Sequence, residues 1–426
     1  MPIAAVPEYL GQNFRDASPG MRFGMYLKLW GINERTQTRL WKTSDVGYEI
    51  RSRDGQEKEV KKENKLSALG EAKRLTEHDL KIMASLAERQ QIVFCSAGSP
   101  DQQLRFEAQA IAPFTTGLGN EHPLENGFSF LNPYGLPYLP GSGVKGVLRQ
   151  AARELAEGEW GDTQGWSAEK TFTLAVGKER IPLSMVDALF GLESAHGENS
   201  HVRGALSFWD VIPQIKGDSL TVEIMTPHQS HYYQEKTDRK TGSSISPHDS
   251  GQPTPISFLT VPPGSGFAFH VQCDLAHLQR IAPELVAEGR WKTLIASAFE
   301  HAFAWLGFGA KTAVGYGAMQ SEAQRQKQMA IDEKRKEIEK RQEVEAARQR
   351  QADTAVAWAG AQLKFNRGNG ALTASKDGKN AIALAPSGKS ILDSLPPDVR
   401  RKVEGNQFVK VTAYVAEGVL VRVEAV

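Results

Sequence analysis

Lys145 and Arg149 stand four residues apart in the stretch YLPGSGVKGVLRQAAR, from Tyr138 to Arg153. On a helix that spacing puts both cations on one face. The Pro-Gly-Ser-Gly turn ahead of them, with Ser142 and Gly143, lets backbone approach a ligand closely. The first free N–H groups of a helix also point outward with the positive end of its dipole. The chemistry that such a set can do is to hold a phosphodiester backbone. A second loop, GFGAKTAVGYGAMQ from Gly307 to Gln320, carries Lys311 as its only charge. Gly309, Gly315 and Gly317 keep this loop, with its Tyr316, close to whatever it touches. Glycine-rich turns before helices also serve chain geometry alone, with the lysine merely solvated. Neither stretch is a GxxxxGK[ST] or GxGxxG motif, which disfavours an ATPase or a dinucleotide enzyme.

Two other residue sets could carry chemistry. His228 and His231 in TPHQSHYY, with His248 and Asp249 in PHDSG, could in principle hold a metal ion. They match no established metal spacing, and neither metal nor cofactor is expected. Metal-free RNA cleavage needs a base near a 2′-hydroxyl and a group to protonate the leaving oxygen. His122, His231, Tyr232 and Lys311 would suffice if the fold assembled them, so an endoribonuclease stands as the rival reading. A pure assembly protein, with glycine loops that touch only neighbouring subunits, is a third.

These residues also carry a family resemblance. PYLPGSGVKGVLR is similar to the helix-entry motif of the RAMP superfamily of CRISPR proteins, and GFGAKTAVGYG resembles that family's carboxy-terminal glycine-rich loop. TTGLGNEHPLENGFSFLNPYGLPYLPGS resembles, more specifically, the family of sixth subunits of the type III-B (Cmr) effector complex. MTPHQSHYYQ and PHDSGQPTPISFLTVPPGSGFAFHV are similar to the same family. The resemblance covers about residues 106 to 320, weakly the first hundred residues and hardly the last seventy. Gly143 departs from it, since many relatives carry Ser or Thr there.

The resemblance implies a non-catalytic CRISPR RNA-binding subunit that caps the backbone filament near the 3′ part of the guide RNA in antiviral defence. Its implied partners are guide RNA, with target RNA as a second candidate, and other type III-B effector subunits. Ser142, Gly143, Lys145, Arg149, Gly309, Lys311 and Tyr316 would then line the RNA, phosphates being held without reading sequence. The 120 to 135 loop, with His122, Asn126, Phe128 and Tyr134, would wedge or stack against bases unless its rings pack on the domain itself.

The elements that must position these residues follow from texture. The fold class expected is α+β: a ferredoxin-like (RRM-like) RAMP core with insertions, an N-terminal helical extension, a charged helical linker and a small C-terminal β module. Residues 1–105 read as the extension, with a charged, mobile segment from Arg51 to Lys65 and a helical pattern from Leu66 to about Gln90. Residues 106–320 read as the core. Its strands are expected at Phe106–Phe114, Ala205–Ile212, Leu220–Met225, Ile256–Val261 and Gly266–Gln272, with helices from Ser142 and Trp291 and a last strand over Ala313–Met319. The open sheet of such a unit offers a surface to single-stranded RNA. Residues 321–352, dense in alternating charge, read as a solvated helix, and 353–426 as an antiparallel β module with turns at Gly368, Gly370, Gly378, Gly388 and Gly418.

With 51 Lys and Arg against 50 Asp and Glu the net charge is only +1, so a polyanion site must come from local clustering. Two cysteines without CxxC pairing and no apolar stretch of transmembrane length suit a soluble cytoplasmic protein without membrane contact.

Overall fold

The computed structural model describes residues 3–32, 36, 39–41, 48–53, 56–61, 64–193, 201–226 and 255–425. They form two compact units, Met1–Arg325 and Gln326–Val426. The first is organised around a four-stranded sheet of β1 (Gln103–Ala110), β2 (Leu206–Phe208), β3 (Gly266–Cys273) and β4 (Met319–Ser321), in the spatial order β2-β3-β1-β4 with every neighbour antiparallel. Alternation in β1 and β3 explains the placement. Leu104, Phe106, Ala108 and Ala110 share one face with Phe267, Phe269, Val271 and Cys273.

That face packs on two helices, α2 (Gly141–Glu157) and α3 (Arg290–His301). Helix α2 contributes Val144, Leu148, Ala151, Ala152 and Leu155, and α3 contributes Trp291, Leu294, Ile295, Ala298 and Phe299. The chain order is thus strand, helix, strand, strand, helix, strand. The last strand is shorter than the sequence suggests. Gly315 and Gly317 take positive φ, which breaks extended backbone, so a 3₁₀ turn at Thr312–Val314 precedes β4.

The opposite face of the sheet is not the open surface expected for RNA. It is covered by α1 (Glu77–Ser96), which starts at a Thr76–Asp79 capping box. The single helical pattern read over 66–90 is two helices, Asn64–Ala72 and α1, separated just ahead of that box. Three bonds fasten the cover: His270 Nε2 to Gln91 Oε1 (2.9 Å), Gln272 to the Ala97 carbonyl (3.2 Å) and Gln103 to the Phe94 carbonyl.

His270 is 3 % exposed, with the Phe94 ring 4.7 Å away and Nδ1 lacking any partner. Burial first, and Arg105 second, push its pKa down to about 4, while Glu107 opposes. The folded state therefore keeps this imidazole neutral while an unfolded chain would protonate it. Stability is fully present above the ordinary histidine value and is lost as pH falls from about 6.5 toward 4. Urea unfolding at pH 7 and pH 4.5 should show a loss on the order of 2–3 kcal/mol that His270→Gln removes.

The amino-terminal stretch adds a small sheet of Ile3–Ala4, Lys28–Ile32 and Arg39–Trp41, while Phe23, Leu27, Leu29, Ala68 and Leu69 join the main core. The segment expected to be mobile from Arg51 contains instead a hairpin, Tyr48–Arg53 paired with Gln56–Lys61, and the start of the helix at Asn64. The charges of Glu57, Lys58, Glu59 and Lys61 kept the hairpin from reading as a strand pair.

Helix α4 (Glu322–Asp353) carries the stretch of alternating charge, laced by Arg335–Glu339 (3.1 Å) and Arg341–Glu337 (2.7 Å) pairs. The second unit is a closed barrel of β5 (Val356–Asn366), β6 (Ala371–Lys376), β7 (Lys379–Ala383), β8 (Val409–Ala416) and β9 (Val419–Ala425), in the order β5-β6-β7-β9-β8. Alanines 361, 374, 381 and 413 sit with Leu363, Leu372, Val411 and Leu420 in its core. Two features correct the expectation of a purely antiparallel module. β7 and β9 pair in parallel through Ile382 and Val419, and two helices, α5 (Ser387–Asp393) and α6 (Pro397–Glu404), lie between β7 and β8. Gly388 is accordingly inside α5 and not in a turn. Among the described residues no helix is long and apolar enough to cross a membrane.

Candidate nucleic-acid interface

Helix α2 begins where the sequence places it, one residue before Ser142. Its start lies against β2: a Cβ on Gly141 would meet the Phe208 carbonyl oxygen at 2.2 Å. Gly141 is therefore the glycine the geometry requires, whereas a Cβ on exposed Gly143 would meet only a Leu139 methyl, at 3.3 Å. The helix end is also partly spoken for. Asp210 Oδ1 accepts from the Gly141 N–H (2.7 Å), and the Pro140 carbonyl accepts from Gly143 (2.9 Å) and Val144 (3.2 Å). Ser142 stays exposed, and half-buried Lys145 stands one turn further on.

Lys145 and Arg149 do share a face and line a 320 Å³ cavity with Arg203, Glu193 and the backbone around Gly191 and Gly204. Arg149 is more a brace than a free cation. Its guanidinium lies 3.5 Å from Glu193 and 3.9 Å from Asp187, its side chain is 14 % exposed, and Nε is buried without a partner. Arg203 is 72 % exposed and 3.7 Å from Asp274. Sequence reading missed Arg203, Asp187 and Glu193, because they reach the helix only through tertiary packing.

What the second glycine loop touches is its own domain. Gly309, at φ +93°, would place a Cβ 2.2 Å from the Thr115 carbonyl, and Gly317, at φ +69°, would place one 1.8 Å from that of Phe308. Backbone bonds run from Ala310 to Thr115 (2.8 Å), Gly317 to Pro113 (2.8 Å) and Phe308 to Gly317 (2.9 Å). This framework holds Lys311 in the left-handed region at φ +61°, a conformation costly for a side chain with a Cβ. Its ammonium lies 5.6 Å from the centroid of buried Phe258 and against the Met225 sulfur. No carboxylate pairs with it among the described residues. Tyr316 packs on Phe258 at 5.6 Å, and burial, then Glu223, raises its pKa.

His122 stacks on Phe23 at 3.8 Å and 6°. Nδ1 accepts from the Leu124 N–H (3.1 Å), so Nε2 carries the proton and donates to the Phe23 carbonyl (2.9 Å). Burial lowers its pKa against that backbone bond. With both nitrogens used, the ring fastens the loop and has no lone pair for a substrate hydroxyl. Phe128 is buried and packs tilted against Phe130 at 5.0 Å, Tyr134 is 37 % exposed, and Asn126 keeps a buried Nδ2 with no partner. This loop and the glycine loop share one anchor, residues 113–117: Ser129 donates to Thr116 (3.1 Å) where Ala310 donates to Thr115. Thus Lys311, Gly309 and Tyr316 form one group tied to the His122–Asn126 loop, and Ser142, Gly143, Lys145 and Arg149 form another on α2.

His228, His231, Tyr232, His248 and Asp249 lie outside the described residues. Among the described residues no group of three His, Cys, Asp or Glu is placed to hold a metal ion.

The glycine-entered helix, the antiparallel sheet and the second glycine loop are the parts of one family. Residues 107–320 match the RAMP superfamily, half of the chain, and the chain belongs to that superfamily. More narrowly, it is 30 % identical over 244 residues to the CRISPR system Cmr subunit Cmr6 of Pyrococcus furiosus, an alignment that takes in 48 % of this chain and 63 % of that protein. The chain thus matches less than two thirds of that relative's length. Among solved structures, a chain of the type III-B Cmr-β complex bound to cognate target RNA aligns with TM-score 0.38 and 17 % identity, over 61 % of this chain and 71 % of that one. The crystal structure of Cmr6 from Pyrococcus furiosus aligns with TM-score 0.27 and 22 % identity, over 51 % and 97 %.

Proposed function

We propose that this chain is a non-catalytic RNA-binding subunit of a type III-B CRISPR effector complex. In this reading it works in the cytoplasm and caps the backbone filament by holding the 3′ part of the guide RNA. Target RNA passes nearby, and other effector subunits are its protein partners. The sheet with α2 and α3 is then a ferredoxin-like unit, to which residues 111–140 and 209–265 are insertions; the strand order β2-β3-β1-β4 supports this.

The observation that carries the reading is Lys311. Its ammonium is half-buried, fixed over an aromatic ring by a strained backbone, and without a carboxylate among the described residues. Holding a desolvated cation unpaired is costly for stability, and a phosphate answers it. Ser142 and Lys145 supply a second phosphate contact, and Arg149, already facing two acids, contributes less. Asn126 Nδ2 gives the neighbouring loop one donor for a phosphate or base edge.

The test is binding of a labelled guide-like single-stranded RNA across a salt series. Lys145→Glu with Lys311→Glu should weaken binding at least about tenfold and flatten the salt dependence by about two ions, the RNA being recovered intact. Unchanged affinity would remove these residues from the interface. Cut RNA would overturn the non-catalytic reading, and no binding by the wild type would favour a purely assembling role.

A further inference from the structure

The carboxy-terminal barrel has a feature the amino-terminal unit does not explain. Strands β5 to β7, with the two turns between them, carry Lys364, Arg367, Lys376 and Lys379 against a single acid, Asp377. Elsewhere in the unit three acids are matched to arginines: Arg400 with Asp393 (2.7 Å) and Glu404 (3.1 Å), Arg422 with Glu424 (3.1 Å). Lys364, Lys376, Lys379 and Lys410 have no such partner among the described residues. Lys376 and Lys379 even stand directly opposite each other across the β6–β7 hairpin, where like charges repel.

Strand register gathers two of these cations, Lys364 and Lys410, on one outer surface, while Lys376 and Lys379 follow the core-side alternation of Ala374 and Ala381 to the end of the hairpin. Lys410 of β8 pairs with Gln362 of β5, Gln362 with Ser375 of β6, and Ser375 with Asn380 of β7. The parallel row runs from Lys364 to Thr373 to Ile382. Alongside Lys364, one step beyond the Leu363–Val409 pair, stands Phe408, 84 % exposed. One surface therefore offers lysines for phosphates, amides and hydroxyls for sugar or base edges, and a bare ring on which a base can stack. Stacking platforms within a positive surface are the means by which single-stranded nucleic acid is held without sequence readout.

The topology points the same way. A closed five-stranded barrel with third and fifth strands parallel and a helical insert between third and fourth has the layout of oligonucleotide-binding barrels. Topology alone would not carry the inference; unpaired Lys364 and Lys410 and the exposed Phe408 ring, at the adjoining first and fourth strands, do.

We infer that the barrel is a second, separate binding site for single-stranded nucleic acid, on the outer face where β5 and β8 pair, at Lys364, Lys410 and Phe408, and continuing onto the polar side chains of β6. A chain with two such sites gains avidity for one strand whenever both can be reached at once.

The full-length chain carrying Lys145→Glu and Lys311→Glu, in which the amino-terminal contacts are reversed, is titrated with labelled oligouridylate and oligothymidylate. Residual salt-dependent binding is expected. Adding Lys364→Glu with Lys410→Glu should weaken it about tenfold or more and lower the salt slope by about two. Adding Phe408→Ala should weaken it several-fold with the slope unchanged, because stacking releases no counterions. All three positions are exposed, so the barrel's thermal transition serves as the folding control. Ultraviolet cross-linking should land on the peptide containing Phe408. Equal binding of the two probes assigns the site to phosphate and base faces, and a preference for oligouridylate adds a 2′-hydroxyl contact. Affinity unmoved by the barrel variants, no residual binding in the background chain, a cross-link elsewhere, or polyglutamate competing as well as the oligonucleotides would each overturn the inference.

Discussion

Gly317→Ala is expected to destabilise the amino-terminal unit by about 3 kcal/mol or more, one of the largest effects of adding a single methyl anywhere in the chain. Two causes add. The new Cβ would fall 1.8 Å from the Phe308 carbonyl oxygen, which is backbone and cannot swing aside. The φ of +69° is also a conformation in which any Cβ costs about 1–2 kcal/mol. The loop must open to relieve the clash, which breaks the Phe308–Gly317 and Gly317–Pro113 bonds and releases Lys311 from its place over Phe258. RNA affinity should fall with stability. Gly143→Ser is the control, because its Cβ meets only the end of a flexible leucine and serine suits a helix slightly better than glycine. Urea unfolding should leave that variant within about 0.5 kcal/mol of wild type. If Gly143→Ser proved the costlier of the two, the assignment of which glycines hold the fold would be wrong.

That contrast shows what a single sequence can and cannot disclose. The glycine loops were legible because glycine is chemically distinctive, and β1, β3 and α2 because their apolar residues repeat with the right period. Which glycine is needed, and against what, depends on strands far away in the chain: Gly141 on Phe208, Gly309 on Thr115. The same holds for charge. Lys145 and Arg149 look equivalent in sequence, yet Asp187, in the helix Met185–Phe190, and Glu193, three residues past its end, face only the second. Helix α1 was legible as a helix, but that it closes one face of the sheet rests on single contacts such as Gln91 with His270. In the barrel, only a turn at Gly388 was read within APSGKSILDSLPPDVRRKVEGN, because the two helices there are only 7 and 8 residues long. Short helices leave little periodicity to detect.

Phe299→Ala is the core substitution expected to cost most, about 3–5 kcal/mol. Its ring is fully buried and meets four others, Phe106 at 4.4 Å, Phe269 at 5.3 Å, Phe303 at 5.7 Å and Phe308 at 6.3 Å. Phe106 and Phe269 belong to the two central strands, Phe303 to the π turn that ends α3, and Phe308 to the glycine loop. Removing the ring leaves a cavity walled by rigid aromatics, which collapse poorly into a void, so the loss should lie toward the upper end of the range. The barrel has a separate core cluster of its own, which includes Leu363, Leu372, Val411 and Leu420. Calorimetry of the full chain should therefore show the amino-terminal transition lowered and the barrel transition unmoved. A loss shared equally by both transitions would mean that the two units do not unfold independently. A loss below about 1 kcal/mol would mean that the sheet and the glycine loop are joined through contacts other than this ring.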